Sequence, residues 1–260
     1  MRGAATDPMG IAEIILLFGV GALTGAMNAI VGGGTLICFP ILLALGLPPV
    51  AANATNTIGL WPASVMAAHI YRPELRKVRA HLLSRSLVAL AGGTVGAVLL
   101  ILLGDDVFSQ LVPWLILTAT LLYGFSGRIV RLMARTGGHL GAGTFLVLEF
   151  LFAIYGGYFG AGIGILLMAT MALAGERDPQ LSNAQKNLMA GLINGAAVVV
   201  FIVQGAVVWP VALALIAGAL TGGNLGARTA RHIPAVWLRI CVLAAGTVLT
   251  LFYFYRVYLY

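Results

Sequence analysis

Charged residues are scarce in this sequence: they occupy 9% of its 260 positions, whereas hydrophobic residues occupy 60%. An ordinary soluble domain has about 25% charged residues, so the composition excludes one. The apolar runs are long and continuous, as helices that cross a membrane require. The sequence therefore predicts an all-α integral membrane protein.

Cysteine and the residues of common catalytic motifs are also scarce. Only Cys38 and Cys241 are present, each within apolar sequence, so we expect no disulfide framework and two thiols that pack as small hydrophobic groups. The sequence has no H-E-x-x-H motif, no P-loop and no cysteine–histidine cluster, and we expect no metal, no cofactor and no ATP-driven pump. The G-x-S-G segment at 124–127 leaves an intramembrane serine protease as a remote alternative, because Ser126 is predicted to lie at the membrane edge. We expect that the protein is not an enzyme.

The net charge of +7 is distributed in a way that indicates membrane orientation. Basic residues cluster in short connections, which the positive-inside rule places in the cytoplasm. These connections are 71–83 with Arg85, 128–135 and 228–235. The turns near 104–106 and 204–208 lack basic residues and are expected outside. We therefore expect a multi-pass protein of the inner (plasma) membrane that contacts the lipid bilayer and binds no nucleic acid.

Ten apolar segments follow one another along the chain. They are predicted at 11–31, 33–46, 50–70, 84–104, 107–127, 140–159, 161–175, 184–204, 209–227 and 236–257. The segments 33–46 and 161–175 are too short to cross a membrane comfortably.

A shift of 130 residues aligns the two halves of the sequence without a gap. It pairs Gly32 with Gly162, Gly34 with Gly164, Pro49 with Pro179 and Asn53 with Asn183. Because the shift pairs connections predicted inside with turns predicted outside, the repeats are expected to be inverted. Residues 1–130 and 131–260 would form the two inverted repeats of one transmembrane domain. Each repeat would contain a glycine-broken helix pair, hairpin or re-entrant, followed by three transmembrane helices.

Glycine-rich breaks inside apolar helices are costly in lipid, and they persist where they line a cavity enclosed by protein. The first break contains Gly32, Gly33 and Gly34 between Asn28 and Thr35, and the second contains Gly162 and Gly164 after Tyr155 and Tyr158. Close helix packing through small residues is the alternative. We favour a substrate site, because three adjacent glycines exceed what a packing face needs and because half-helix ends bind ions in transporters. The tyrosine hydroxyls could also contact a bound anion.

Two of the later segments begin with polar residues. They are Asn53, Thr55, Asn56 and Thr57 in the first half, and Asn183, Gln185, Lys186 and Asn187 in the second. If these residues start helices, free backbone N–H groups together with the polar side chains would bind an oxyanion. Helix capping by Asn53 and Asn183 is the alternative, although it explains only one residue in each helix. Lys186 either supplies the counter-charge for the anion or extends to the membrane interface.

Glu149 lies about ten residues into an apolar run and has no basic neighbour at helical spacing. A carboxylate there is expensive if it is charged and unpaired, so it should be protonated, exchange a proton or face a cavity. Its functional interpretation is a proton-coupling site. A protonated, hydrogen-bonded structural role is the alternative.

The glycine-rich blocks resemble those of the sulfite exporter TauE/SafE family of membrane transporters, also grouped as the toluenesulfonate uptake permeases. The first block reads GAMNAIVGGG from Gly25 and precedes Pro40, Pro49 and NATN from Asn53; the second reads YGGYFGAGIG from Tyr155 and precedes NAQKN from Asn183. The resemblance covers essentially the whole chain. It implies transport of a small anion such as sulfite, sulfoacetate or a related sulfonate, with protons as the coupling ion. Ile163 stands where the middle glycine would be, so the two sides of a site would not be equivalent.

The sequence thus predicts a secondary transporter that works by alternating access, with a small anion and protons as its partners. A passive anion channel is the alternative, since the same breaks and polar helix starts would line a pore. The identity of the anion, the direction of transport and the formation of a homodimer stay open.

Overall fold

The computed structural model describes residues 10–30, 33–135, 141–229 and 235–259, and all regular secondary structure in these ranges is helical. The helices are α1 (Ile11–Ile30), α2 (Thr35–Ala44), α3 (Pro49–Ile70), α4 (Arg72–Leu75), α5 (Arg79–Arg135), α6 (Ala142–Tyr158), α7 (Ile163–Leu173), α8 (Pro179–Val203), α9 (Trp209–Thr229) and α10 (Ala235–Tyr258), with a 3₁₀ turn at Arg76–Val78. By length and composition, three stretches in the described ranges could each cross a membrane: Ile11–Asn28, Leu82–Arg135 and Gln180–Val203. The predicted all-helical fold with several apolar helices is confirmed.

Most helix boundaries follow the predicted apolar segments, but α5 continues to Arg135 through the predicted connection 128–135, and α8 begins at Pro179 instead of near 184. The two short segments become the short helices α2 and α7. The predicted loop 71–83, however, folds as α4, the 3₁₀ turn and the start of α5. Arginine, lysine and leucine are good helix formers, so a cluster of basic residues does not by itself end a helix. Leu75 is buried, and it anchors this segment to the bundle.

α5 consists of two antiparallel halves, α5a (79–103) and α5b (105–135), which are joined at Gly104. This glycine has φ +70° and ψ −175°, a conformation that other residues rarely adopt. Gly96 of α5a lies against the last turn of α6, and Ala119 of α5b lies beside Gly162, in the connection that follows α6. Because both halves of α5 reach the same end of α6, α5b must run back alongside α5a rather than extend it.

Glycine faces bring two pairs of helices into backbone contact. In α9, Gly218 and Gly222 lie against successive turns of α1, at positions where a Cβ atom would overlap the α1 backbone. In α5a, Gly92 and Gly96 lie in the same way against successive turns of α6. In both pairs, a residue further along one helix contacts a residue further along the other. The helices α1 and α9 are therefore parallel to each other, and so are α5a and α6.

α3 and α8 cross each other in an antiparallel arrangement at the centre of the bundle. Nε1 of Trp61 donates a hydrogen bond of 2.9 Å to the backbone oxygen of Gly191. Nδ2 of Asn183, near the start of α8, donates to the hydroxyl of Tyr71, just beyond the end of α3, at 2.9 Å. The end of α3 therefore lies beside the start of α8.

The two ends of α3 define two faces of the bundle. At its start, the N–H of Val50 donates to Oδ1 of Asp105 at 2.8 Å, and Oγ1 of Thr55 accepts from the N–H of Val208 at 3.1 Å. Both turns that are predicted to lie outside are therefore at one face, which we call the Asp105 face. α4 and the start of α8 lie at the opposite face, which we call the α4 face.

Candidate functional site

The first glycine break separates α1 from α2. Gly33 has φ +88°, and the N–H of Gly34 donates a hydrogen bond of 2.8 Å to Oδ1 of Asn28. A Cβ atom on Gly34 would lie 2.7 Å from the backbone oxygen of Thr24, so the chain returns too close to α1 for a larger residue. Gly32, which was also predicted to belong to the site, lies outside the described residues.

The second glycine break separates α6 from α7. Gly160 and Gly162 both have φ +81°. The hydroxyl of Tyr155 donates to the backbone oxygen of Ala161 at 2.6 Å, which stabilises this irregular backbone. The predicted contact between this hydroxyl and an anion would therefore compete with an existing hydrogen bond.

The two breaks meet at one turn of α5b. A Cβ atom on Gly33 would lie 3.1 Å from Cε2 of Tyr123, and one on Gly162 would lie 3.6 Å from Cδ1 of Leu122. Thr120 belongs to the same turn and is buried. Sequence analysis missed this turn, because its residues lie inside an apolar run that has neither a break nor a charge.

The polar face of α3 contacts both breaks. Nδ2 of Asn53 donates to the backbone oxygen of Tyr158 at 3.0 Å, and Nδ2 of Asn56 donates to Oγ1 of Thr35 at 3.5 Å. Each asparagine is 1% exposed. Thr57 donates its hydroxyl to the backbone oxygen of Asn53 within the helix, at 2.8 Å. The structure thus brings α3 and the two breaks together.

Four buried side-chain oxygens around the breaks have no hydrogen-bond partner among the described residues. They are Oδ1 of Asn53, Oδ1 of Asn56, Oγ1 of Thr120 and Oη of Tyr158. A buried polar atom without a partner costs about 1–3 kcal/mol, so such atoms usually bind water or a ligand. Asn53, Asn56 and Tyr158 border the breaks, whereas Oγ1 of Thr120 lies against Gly246 of α10. Unpaired oxygens of this kind are typical of a site that receives a polar species.

The helix N-termini at the breaks belong to α2 and α7, and their N-cap residues, Gly34 and Gly162, have no side chain to cap them. The first turns of α8 and α3, by contrast, bind the carboxylates of Asp178 and Asp105. The prediction that Asn53 and Asn183 start helices, or cap them, is therefore wrong: each lies one turn inside its helix. The positive helix ends left for an anion are those of α2 and α7.

Lys186 lies beside the N-terminus of α7. Its Cδ atom is 3.2 Å from the position that a Cβ atom would take on Gly164. Within the parts of the chain that the structure describes, its ammonium has no carboxylate within 4.0 Å. Asn187 follows it on α8 and is half-buried. Lys186 therefore brings an unpaired positive charge to the second break.

Three residues of the predicted site form contacts between helices instead. Thr55 accepts a hydrogen bond from the backbone just before α9, and Asn183 donates to Tyr71. Gln185 accepts from Nη1 of Arg85. Each of these side chains already has a partner, so its first role is to hold two elements together.

Glu149 is not isolated as expected: it is paired with Arg85, which lies on another helix and not at helical spacing. Nε of Arg85 donates to the two carboxylate oxygens at 3.1 and 2.9 Å, and Nη2 donates to Oε1 at 2.8 Å. The guanidinium also lies 4.9 Å from the centre of the Phe145 ring. Arg85 is 5% exposed and Glu149 is 0% exposed. Arg85, whose charge was counted with the basic connection 71–83, therefore lies inside the bundle, because α5 begins before it.

Aromatic rings pack between the breaks and the Asp105 face. The ring centres of Phe39 and Phe159 are 5.3 Å apart, and those of Phe108 and Tyr158 are 5.5 Å apart. Phe39, Phe108 and Phe159 are at most 2% exposed. Since Phe108 is in the first turn of α5b, next to Asp105, this aromatic cluster separates the breaks from the Asp105 face.

The predicted thiol Cys38 lies in α2, and Ser126 of the G-x-S-G segment lies in α5b. Cys38 is a buried free thiol, as expected, whereas the side chain of Cys241 lies outside the described residues. The hydroxyl of Ser126 donates to its own helix backbone at 2.9 Å, and His139 and His232 lie outside the described residues. In the described ranges, no three histidine, cysteine or acidic residues form a group that could hold a metal ion.

Comparison with known proteins connects this geometry to a family. The family model described as "Sulfite exporter TauE/SafE" matches residues 17–253. A "Probable membrane transporter protein" of Haemophilus influenzae is 31% identical over 228 residues, which cover 85% of this chain and 86% of the relative. "Probable membrane transporter protein ORF9" of a Sinorhizobium species is 29% identical, covering 84% and 83%, and "Probable membrane transporter protein YfcA" of Escherichia coli K12 is 26% identical, covering 82% and 79%. No solved structure matches the chain.

Proposed function

The chain belongs to the sulfite exporter TauE/SafE family, and we propose that it is a secondary transporter of a small sulfur-containing or organic anion. The family and the names of its relatives indicate a multi-pass membrane protein that transports a small molecule. Sulfite, sulfoacetate and related sulfonates are the proposed substrates, because each presents a compact oxyanion to the protein. Transport proceeds by alternating access.

One observation carries this proposal: the N-termini of α2 and α7 lie at the two breaks, which meet at a single turn of α5b. Each helix N-terminus carries a partial charge of about +0.5, which favours a negatively charged ligand at the break. Lys186 adds a full positive charge at the second break. A compact anion is the ligand that such an arrangement stabilises best.

The unpaired side-chain oxygens complete the proposed site. The hydroxyls of Thr120 and Tyr158 can donate to an anion's oxygens. Asn56 has its Oδ1 unpaired, and a half-turn of its amide would instead present Nδ2 to the anion while Oδ1 accepts from the Thr35 hydroxyl. In this site Lys186 balances the negative charge of the anion, whereas the asparagine and hydroxyl groups orient its oxygens.

We also propose that residues 1–130 and 131–260 are inverted repeats. A shift of 130 residues relates α1 to α6 and α5a to α9. The packing supports the repeat, because α1 packs against α9 and, correspondingly, α6 packs against α5a. Both of these pairs are parallel, whereas α3 and α8, which correspond to each other, are antiparallel. An exchange of the two halves by a two-fold axis near Trp61 and Gly191 accounts for all of these directions.

Protons are the proposed coupling ion, and Glu149 is the proposed coupling residue. Protonation of Glu149 would remove the negative charge that Arg85 binds and would weaken the link between α6, α5a and α8. No other acidic residue occurs on α6, α7 or α8, so the proton has one carboxylate to occupy in these helices. The α6–α7 pair could then move relative to α5.

Flux into liposomes that contain the purified protein tests the function. Labelled sulfite, and separately labelled sulfoacetate, is supplied with and without an imposed pH gradient. We expect accumulation above equilibrium that depends on the gradient, and we expect Glu149→Gln to abolish that dependence. Equilibration that ignores the gradient in the wild type would indicate a passive channel, and no flux of either anion would refute the substrate class.

The site itself is tested by Thr120→Val in α5b, with Thr94→Val in α5a as the matched control. Thr94 is exposed and its hydroxyl binds the backbone of its own helix, whereas the Thr120 hydroxyl is buried and unpaired. Loss of a hydrogen bond to a charged ligand costs about 1.5–3 kcal/mol, which is about 10- to 150-fold in anion affinity. We expect this loss only in Thr120→Val. Equal affinities in the two variants would remove Thr120 from the site.

A further inference from the structure

A cavity of about 550 Å³ opens at the α4 face, away from the glycine breaks. We call it the α4 cavity. Its basic lining residues are His69, Arg72 and Arg76, and its main apolar ones are Leu75, Leu82 and Leu188. The cavity therefore combines Arg72 of α4 and Arg76 of the 3₁₀ turn with His69 at the end of α3 and with leucines of α4, α5a and α8.

The positive charge of the α4 cavity is not neutralised by the described residues. Nη1 of Arg72 lies 3.4 Å from Nδ1 of His69, and neither Arg72 nor Arg76 has a carboxylate within 4.0 Å. Glu74 lies between the two arginines on α4, but it does not line the cavity and forms no ion pair in the described ranges. The cavity is thus suited to an anion.

The apolar surroundings indicate what kind of anion this is. Val65, which lines the cavity, is 44% exposed, and the neighbouring Ile70 and Leu83 are 66% and 72% exposed. In a membrane-spanning bundle, exposed apolar side chains of this kind contact lipid acyl chains. The cavity therefore lies where a cationic rim meets a lipid-facing surface, and it is much larger than a sulfite ion requires.

We propose that the α4 cavity binds the headgroup of an anionic phospholipid. Arg72 and Arg76 hold the phosphate group, as basic pockets between helices on the cytoplasmic side of membranes do. The acyl chains run beside Ile70 and Leu83. The site is separate from the proposed transport site, so its existence does not depend on which anion is transported.

Binding of defined lipids to the detergent-purified protein tests this proposal. The probes are phosphatidylglycerol and phosphatidylcholine, and retained lipid is counted by native mass spectrometry. The test variant is Arg72→Gln with Arg76→Gln. The matched control is Arg128→Gln with Arg131→Gln, which removes two exposed arginines near the end of α5b that do not line the cavity.

We expect the wild type and the control to retain phosphatidylglycerol in preference to phosphatidylcholine. Each arginine near the membrane surface contributes about fivefold in lipid affinity, which corresponds to about 1 kcal/mol, so we expect the loss of two to weaken phosphatidylglycerol binding roughly 30-fold in the test variant. Arg72→Lys with Arg76→Lys keeps the charge and should keep most of the preference, which separates loss of charge from loss of folding.

Two results would overturn the proposal. The first is equal retention of phosphatidylglycerol by the wild type and by the Arg72→Gln, Arg76→Gln variant. The second is arginine-dependent binding of free toluenesulfonate in the absence of any preference for phosphatidylglycerol, which would assign the α4 cavity to a soluble organic anion instead of a lipid.

Discussion

The buried pair of Arg85 and Glu149 makes a sharp prediction about stability. Arg85→Met leaves the carboxylate of Glu149, which is 0% exposed, without its partner. Glu149→Leu leaves the guanidinium of Arg85 in the same position. Removing both side chains together leaves no buried charge. We therefore expect the double variant to be more stable than either single variant.

The expected magnitudes follow from the burial of both groups. Removing one partner of a buried ion pair costs about 3–5 kcal/mol, because the remaining charge is desolvated without compensation. In a protein of this size that loss lowers the Tm by about 6–20 °C. The double variant also leaves Oε1 of Gln185 without the donor it has in the wild type, which costs about 1–3 kcal/mol. Leucine and methionine packing offsets part of this cost.

The two single variants should also differ in their response to pH. In Arg85→Met, Glu149 can take up a proton and become neutral, so the variant gains stability relative to the wild type as the pH falls. In Glu149→Leu, the guanidinium keeps its charge at every accessible pH, so no such gain is expected. Thermal unfolding in detergent, followed by tryptophan fluorescence across a pH series, measures both effects.

One outcome would refute this reasoning. If the losses in the two single variants add up in the double variant, Arg85 and Glu149 do not stabilise each other, and the short distances between them have no energetic consequence. A double variant that is clearly more stable than both singles supports a coupled pair.

Three further predictions concern the breaks and the aromatic cluster. Lys186→Gln should weaken anion binding by at least tenfold in the liposome assay, and an unchanged KM would exclude Lys186 from the site. Gly34→Ala should destabilise the protein by about 1–3 kcal/mol, since its Cβ atom would lie 2.7 Å from the Thr24 oxygen, whereas Gly127→Ala has open space and should be neutral or stabilising; equal Tm values would contradict the close approach. Phe108→Leu should increase leakage of anion that ignores the pH gradient, and flux indistinguishable from the wild type would show that the aromatic cluster is not a barrier.

Helix positions could be predicted from the sequence because burial in lipid requires apolar runs of a characteristic length. Hydropathy located α2 and α7 within a few residues, along with the glycine breaks that precede them. It placed the start of α8 too late, however, because its first turn is polar. The Asp178-Pro179 pair indicates that start, since aspartate is a preferred N-cap residue and proline is preferred at the first helical position.

Other parts of the site had no signal in the sequence. Arg85 and Glu149 are 64 residues apart and lie on different helices, so helical spacing could not pair them. Thr120 and Tyr123 belong to an apolar run, and only the packing of both breaks on that turn marks them. A single sequence reveals which residues break a helix, but the tertiary fold decides which uninterrupted helix they meet.

The unequal distribution of charge between the halves bears on how the proposed site works. At the spacing of 130 residues, Lys186 corresponds to Asn56, Arg85 to Leu215 and Glu149 to Gly19, so each charged residue has a neutral counterpart in the other half. If the halves are inverted repeats, they have the same backbone fold but carry different charges at corresponding positions. Any anion between the breaks would then interact with a charged α8 on one side and with a neutral polar α3 on the other. The proposed coupling at Glu149 would consequently act on the α6–α7 pair alone, while the α1–α2 pair would respond only through the anion that both breaks bind.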